Sequence, residues 1–298
     1  MKKIIDLSKY NVVTDWKKVK NAVDGVILRC GYRGWGSGKI TLDAKFPEFA
    51  EACRNNGIPF GVYFMSQAIN DQEGIQEASY AVSLANQYGA TLGVYIDSED
   101  GDGTAKVVRA DGLSKSVRTA VVRAFCEAVN ATGYVGGVYA SESWFNDRLN
   151  FVELKQYRIW VAKYGKNTGG KCTNVTLSKC DMHQYTSKGS IPGISGNVDV
   201  SECYIDFGQK QESSASTEHI QKNYKPGVAY FVHCTNLRVR SKPVIDGTNK
   251  NVLYKLSNTA VLNKATYRDA SGRIWMNISG TSKEEWICAD TGAKSFVY

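Results

Sequence analysis

Through the first two thirds of the chain, apolar residues recur in short runs of strand length. They fall at 3–7, 25–30, 59–65, 91–96, 133–140, 158–162, 182–185 and 198–200. Several of the intervals between them carry a different rhythm. Segments 46–55, 72–88 and 114–131 place apolar side chains three and four apart, with Val117, Val121, Phe125 and Val129 forming one stripe of the last. A period near 3.6 predicts helices, whereas strands repeat every two residues. Strands alternating with helices predict parallel βα units. Eight such strands predict an α/β fold, an irregular eight-stranded (β/α) barrel. The last strands follow one another closely, so the final helices are expected to be short or absent, leaving fewer helices than strands.

The pattern changes near residue 209. Gln209-Lys210-Gln211-Glu212-Ser213-Ser214-Ala215-Ser216-Thr217-Glu218 holds one small apolar residue and predicts an exposed linker. Beyond it come short β-branched and aromatic runs with turn signals and no helical period. The expected organisation is a first domain over 1–208, a linker over 209–224 and a small all-β domain over 225–298.

Composition supports a folded enzyme-sized chain and little else: 43% of the 298 residues are hydrophobic and 22% charged. No run approaches the roughly 20 apolar residues of a membrane span, so no membrane insertion is expected. Asp6 interrupts the N-terminal apolar run before it reaches signal-peptide length. The expectation is a chain made without an export signal of the usual kind. Charge adds one asymmetry, since the net +8 falls almost wholly after residue 218. A basic tail on a neutral body points to a polyanion, with nucleic acid and an anionic cell wall both open on charge alone. Nucleic-acid binding lacks any supporting motif and is not expected.

Three histidines and eight cysteines, none in a CxxC pair, give no zinc set, and neither a metal nor a cofactor is expected. Cys30, Cys53 and Cys126 read as small core residues. Cys172 and Cys180 are near enough in sequence to bridge a loop, and the sequence leaves their pairing open. Asp100-Gly101-Asp102-Gly103 has the wrong ligand spacing for a calcium loop and reads as a turn.

The chemistry lies in what stands at the strand ends. Asp6 ends the first strand, Asp97 and Glu99 the fourth, and Asp199 falls in the eighth; Tyr63, Tyr139, Trp160, Gln184 and Tyr185 lie in the others. Barrel enzymes gather their chemistry at one mouth. Four acids rimmed by flat rings suit glycoside hydrolysis, which needs a proton donor, a stabiliser of positive charge and stacking surfaces for sugars. As positions i and i+2 of a strand, Asp97 and Glu99 would face one side, with Cα atoms roughly 6.6 Å apart. Crowded carboxylates raise one another's pKa, and the longer Glu99 is the expected general acid, with Asp97 as its partner. A lone DxE pair is a weak signal, and each aromatic could instead fill the barrel interior.

Taken together, these pieces resemble glycoside hydrolase family 25, the Chalaropsis-type lysozymes. The resemblance runs from Lys3 to Phe207, through Asp6-Leu7-Ser8-Lys9-Tyr10-Asn11, Gly61-Val62-Tyr63-Phe64, Tyr95-Ile96-Asp97-Ser98-Glu99, Trp160-Val161-Ala162-Lys163-Tyr164, Gln184-Tyr185-Thr186-Ser187 and Gly196-Asn197-Val198-Asp199. It implies an N-acetylmuramidase acting on peptidoglycan, with Glu99 as acid, Asp97 as partner, Asp6 and Asp199 in support and Tyr63 at a sugar site. Two positions depart from the pattern. His183 stands where many members have Trp, and Arg29-Cys30-Gly31-Tyr32 replaces a Lys-Ala-Thr run, making Arg29 a candidate substrate contact.

In the tail, Leu237-Arg238-Val239-Arg240-Ser241 and the paired Trp275 and Trp286 resemble a bacterial SH3-like domain. That resemblance implies a small β-barrel holding the enzyme on wall peptide or polymer. Trp275, Trp286 and Tyr230 would either line its ligand site or fill its core. The whole resembles a phage or prophage endolysin. Similar acids would serve a chitin-like glycan, and the four intact acids argue against a non-catalytic wall-binding protein.

Overall fold

The computed structural model describes residues 1–100, 108–207 and 223–297, apart from 233, 235, 246, 258, 280–283 and 292–294. The proposed linker therefore lies outside the described residues up to position 222, as does the predicted turn beyond Asp100.

Eight strands close a barrel: β1 (Lys2–Leu7), β2 (Gly25–Arg33), β3 (Phe60–Met65), β4 (Val94–Asp97), β5 (Gly136–Ser141), β6 (Arg158–Ala162), β7 (Met182–Gly189) and β8 (Val198–Cys203). Strands β1 to β7 pair in parallel in chain order. The eighth departs from the expected repeat of parallel units. It runs antiparallel to both β7 and β1 and closes the ring, with Asp199 opposite Asp6. Nothing but loop and the two-residue strand Ile194–Ser195, which pairs with Val12–Val13, joins β7 to β8, too little chain for the crossover that a parallel strand requires.

Among the described residues six helices surround the barrel: α1 (Trp16–Ala22), α2 (Phe46–Asn55), α3 (Asp71–Tyr88), α4 (Lys115–Asn130), α5 (Glu142–Asp147) and α6 (Phe151–Leu154). The late ones are short, as strand spacing predicted, and none follows β6. The long ones carry their own start and stop signals. Asn70 caps α3 by accepting from the Glu73 amide, while the Glu73 carboxylate accepts from the Ile69 amide, a reciprocal arrangement. Gly89, at φ 77°, ends that helix. Ser114 caps α4 by accepting from the Val117 amide.

Strand alternation sorts side chains into two layers. Ile5, Leu7, Val26, Leu28, Val62, Phe64, Val94, Ile96, Val138 and Val161 face the helices. The residues between them point inward, where Ile4, Ile27, Tyr95, Tyr139, Trp160 and Met182 fill the lumen. Gly137 makes room for this filling, because a Cβ there would lie 2.4 Å from the Tyr95 ring.

The C-terminal region is all β. Strands β9 (Ala229–Val232), β10 (Leu237–Arg240), β11 (Val252–Leu256), β12 (Thr259–Leu262), β13 (Ala265–Arg268), β14 (Ile274–Asn277) and β15 (Trp286–Asp290) form an antiparallel sheet ordered β11-β10-β15-β14-β13 and a separate β9-β12 pair. They enclose their own core, which includes Val239, Met276 and Ile287. A seam joins this region to the barrel. Ala260 and Leu262 enter the outer apolar layer, and the Ala260 amide donates to the Ser79 hydroxyl of α3 at 2.7 Å.

Of the aromatics considered for ligand contact here, Trp275 is fully buried, with its indole N–H donating to Asp269, so it is a core residue. Trp286 is half-buried against Tyr267. Tyr230 packs on Tyr224 and accepts from the Lys225 amide. Cys172 and Cys180 are free thiols.

Candidate active site

The inward positions that lie nearest the mouth carry the chemistry. Asp6, Tyr63, Asp97, Glu99, Tyr139, Trp160, Tyr164, Gln184 and Asp199 line one cleft of about 190 Å³. Those on the strands owe their direction to the period of two: Asp6 follows Ile4 inward, Asp97 follows Tyr95, and Gln184 follows Met182. Asp199 arrives differently. Because β8 is reversed, the residue near its start, and not its end, reaches this mouth. Glu99 lies just beyond the β4 ladder, which Ser98 extends by donating to the Tyr139 carbonyl at 3.0 Å. The two acids therefore share the cleft without sharing a strand.

A single amide orders the polar floor. Gln184 Oε1 accepts from Tyr139 at 2.8 Å and from Tyr164 at 2.7 Å. Both hydroxyls donate, which leaves the amide nitrogen to donate to Asp6 Oδ2 at 2.8 Å. Beneath it, Trp160 is held by an N–H···O bond to Ser201 at 3.0 Å and by edge contacts with Tyr139, Tyr95 and Tyr63. Asp97 is 5% exposed, and its Oδ1 has no hydrogen-bond partner among the described residues. A buried carboxylate oxygen costs free energy unless something donates to it.

Burial dominates the electrostatics. It raises Glu99 to about 7, helped by Asp199 and Asp100 and opposed by Arg29. Asp199 rises to about 6 through burial, against a backbone hydrogen bond. Asp97 is pushed well above the usual carboxylate range by burial, Glu99 and Asp6, with Arg29 opposing. Asp6 is raised by burial and Asp199, with the Gln184 donor opposing. At neutral pH the four acids thus retain protons that belong to the cluster as a whole.

Two of the residues picked from sequence fall outside this cleft. Tyr185 faces the helical layer, half-buried beside His183, because its neighbour Gln184 takes the inward position. His183 is likewise an outer residue, bonded to the Lys163 carbonyl at 2.8 Å, so having histidine there removes no surface from the cleft. Arg29 does not line the cavity. It lies 7% exposed at its edge, paired with the fully buried Asp43 at 2.6 Å, flanked by the Tyr10 and Tyr32 rings. Its Nη2 has no partner among the described residues. Conversely, Tyr164 and Ser201 belong to the site and were not picked. Tyr164 closes the motif that begins at Trp160, four residues on. Ser201 carried no signal at all.

A closed barrel with acids and aromatic rings converging on one mouth is the arrangement of a glycoside hydrolase. Residues 5–194 match the glycosyl hydrolases family 25, and the chain belongs to that family. The autolytic lysozyme of Clostridium acetobutylicum is 27% identical over 165 residues, covering 55% of this chain and 45% of that protein, so the chain spans about half the length of the curated relative it matches. The catalytic domain of endolysin ply40 from bacteriophage P40 of Listeria monocytogenes superposes with a TM-score of 0.57 at 26% identity, over 68% of this chain and 93% of that one. The modular autolysin LytC from Streptococcus pneumoniae, in complex with a synthetic peptidoglycan ligand, superposes with a TM-score of 0.56 at 29% identity, over 67% of this chain and 46% of that one.

Proposed function

We propose that this chain is a peptidoglycan hydrolase, an N-acetylmuramidase cleaving the β-1,4 bond between N-acetylmuramic acid and N-acetylglucosamine. The observation that carries the reading is a cleft holding four acids, one of them, Glu99, raised by burial to about 7. A carboxylic acid that keeps its proton near neutrality can donate it to a glycosidic oxygen. Glu99 is the general acid. Asp97 acts on the other side of the reaction: its unpartnered Oδ1 accepts from the N–H of the substrate's 2-acetamido group, whose carbonyl oxygen attacks the anomeric carbon. The cyclic intermediate is then opened by water, and the configuration is retained. Asp6 and Asp199 set the charge of the cluster, with Asp6 fixed through Gln184, and Tyr63 meets the sugar ring over a packed floor of Tyr139 and Trp160. Arg29, behind the cleft wall, tempers the charge of Asp97 and Glu99.

In this reading residues 1–208 form the catalytic domain, and 209–224 link it to an SH3-like domain over 225–298 that holds the enzyme on wall peptide or anionic polymer. The protein acts as a phage or prophage endolysin, made in the host cytoplasm and reaching the wall after release. The relatives named above, an autolytic lysozyme and an endolysin domain, support it. The test is mass spectrometry of fragments released from purified peptidoglycan by the wild type and by Glu99→Gln. Fragments ending in reducing N-acetylmuramic acid, from the wild type alone, are expected. Reducing N-acetylglucosamine ends, or equal release by both proteins, would overturn the assignment.

A further inference from the structure

The C-terminal sheet carries a second cavity, of about 470 Å³, remote in sequence from the acids. Its walls include Leu237, Ile245 and Phe296, and three cations, Arg238, Arg240 and Lys255, line it with them. The placement of two of these is unusual. Arg238 and Lys255 are direct cross-strand partners on β10 and β11. Like charges in that position destabilise a sheet, and among the described residues neither forms an ion pair. The third cation is fixed in place. Arg240 is 3% exposed, donating to Asn251 Oδ1 at 2.6 Å and to Asn249 Oδ1 at 3.1 Å, with Asn249 itself held at φ 57°. These two amide oxygens fix the direction of the guanidinium.

We propose that this cavity binds the free C-terminal carboxylate of a short peptide ending in small apolar residues, the chemistry of a peptidoglycan stem peptide. This rests on the wall-hydrolase reading above only for the source of the peptide. An oxyanion removes the repulsion between Arg238 and Lys255 and meets in Arg238 a guanidinium that suits bidentate contact. The apolar wall decides between anions. Methyl side chains bury against Leu237, Ile245 and Phe296, whereas a polyol phosphate offers that wall nothing apolar to cover.

Calorimetric titration of the full-length protein tests this with diacetyl-L-lysyl-D-alanyl-D-alanine, its C-terminal amide and oligomeric glycerol phosphate as probes. The free-acid peptide is expected to bind, and the amide to bind about tenfold or more weakly. The double variant Arg238→Gln/Lys255→Gln is expected to show the same loss at unchanged circular dichroism, since both positions are exposed. Equal affinity for acid and amide, preference for glycerol phosphate, undiminished binding by the double variant, or no binding at millimolar peptide would each overturn the proposal. None of the probes contains a sugar, so these outcomes are independent of whether the barrel cleaves glycan.

Discussion

Replacing Glu99 with Gln separates what the cleft does from what it costs the fold. The carboxyl has an ordinary value of 4.5 and is raised in the folded protein to about 7, first by burial and then by Asp199 and Asp100. The sign follows directly. Between those values the native state holds a proton that the unfolded chain has released, so this group's favourable contribution is complete below 4.5 and is lost as pH rises through 7. At about 1.4 kcal/mol per unit, the loss amounts to at most about 3 kcal/mol, reduced by coupling to the other acids. Glutamine keeps the shape and never ionises. Glu99→Gln should therefore be more stable than the wild type at pH 8 by about 1–3 kcal/mol, nearly equal to it at pH 4.5, and slower in hydrolysis by about a thousandfold, or about 4 kcal/mol of barrier. Urea unfolding across this pH range, with reducing-end release from peptidoglycan measured alongside, provides the assay. A variant that is inactive but less stable at pH 8, or one whose stability follows the wild-type slope, would refute the placement of a buried, proton-retaining acid at this position.

Three further outcomes are expected. Wild-type kcat/KM should fall as pH rises through about 7, where Glu99 loses its proton, and a rate sustained to pH 9 would contradict that role. Asp97→Asn should lower kcat by about a hundredfold or more, and proton NMR of early wild-type product should show retained anomeric configuration; prompt inversion would exclude attack by the acetamido oxygen. Ser79→Ala leaves the buried Ala260 amide without its acceptor, which should cost about 1–3 kcal/mol. A chemical melt indistinguishable from wild type would mean that the seam between barrel and C-terminal strands contributes no stability.

Much of this architecture was legible because strand and helix periods differ and because seven of the strands repeat one unit. The inward positions of Tyr63, Tyr139 and Trp160 follow from apolar neighbours that face the helices, a pattern local to each strand. What escaped depends on pairing between distant segments. The direction of β8 is set by the short connection before it and by the free edges of β7 and β1, and no residue within 198–203 announces it. Tyr185 was misplaced for a related reason: Gln184 and Tyr185 are adjacent, only one of them can face the cleft, and the inward apolar residue that decides, Met182, is recognisable only once its lumen neighbours are known. Arg29 needed its partner, Asp43, whose burial is a tertiary fact. The cation cavity was invisible because the cross-strand register of Arg238 and Lys255 lies in no local pattern.

The reversed closing strand bears on when activity can arise. Strand β1 precedes the other barrel strands in the chain, yet it is bracketed by β2 and by β8, and Gln184 reaches Asp6 across 178 residues of chain. Contacts of such long range form slowly, because closing the intervening loop costs entropy before any contact compensates it. The acid cluster is therefore a product of ring closure: a nascent or nicked chain lacking residues 198–203 holds Asp97 and Glu99 but neither Asp199 nor the strand that positions Asp6. The four acids of this cleft come together only when β8 has closed the ring.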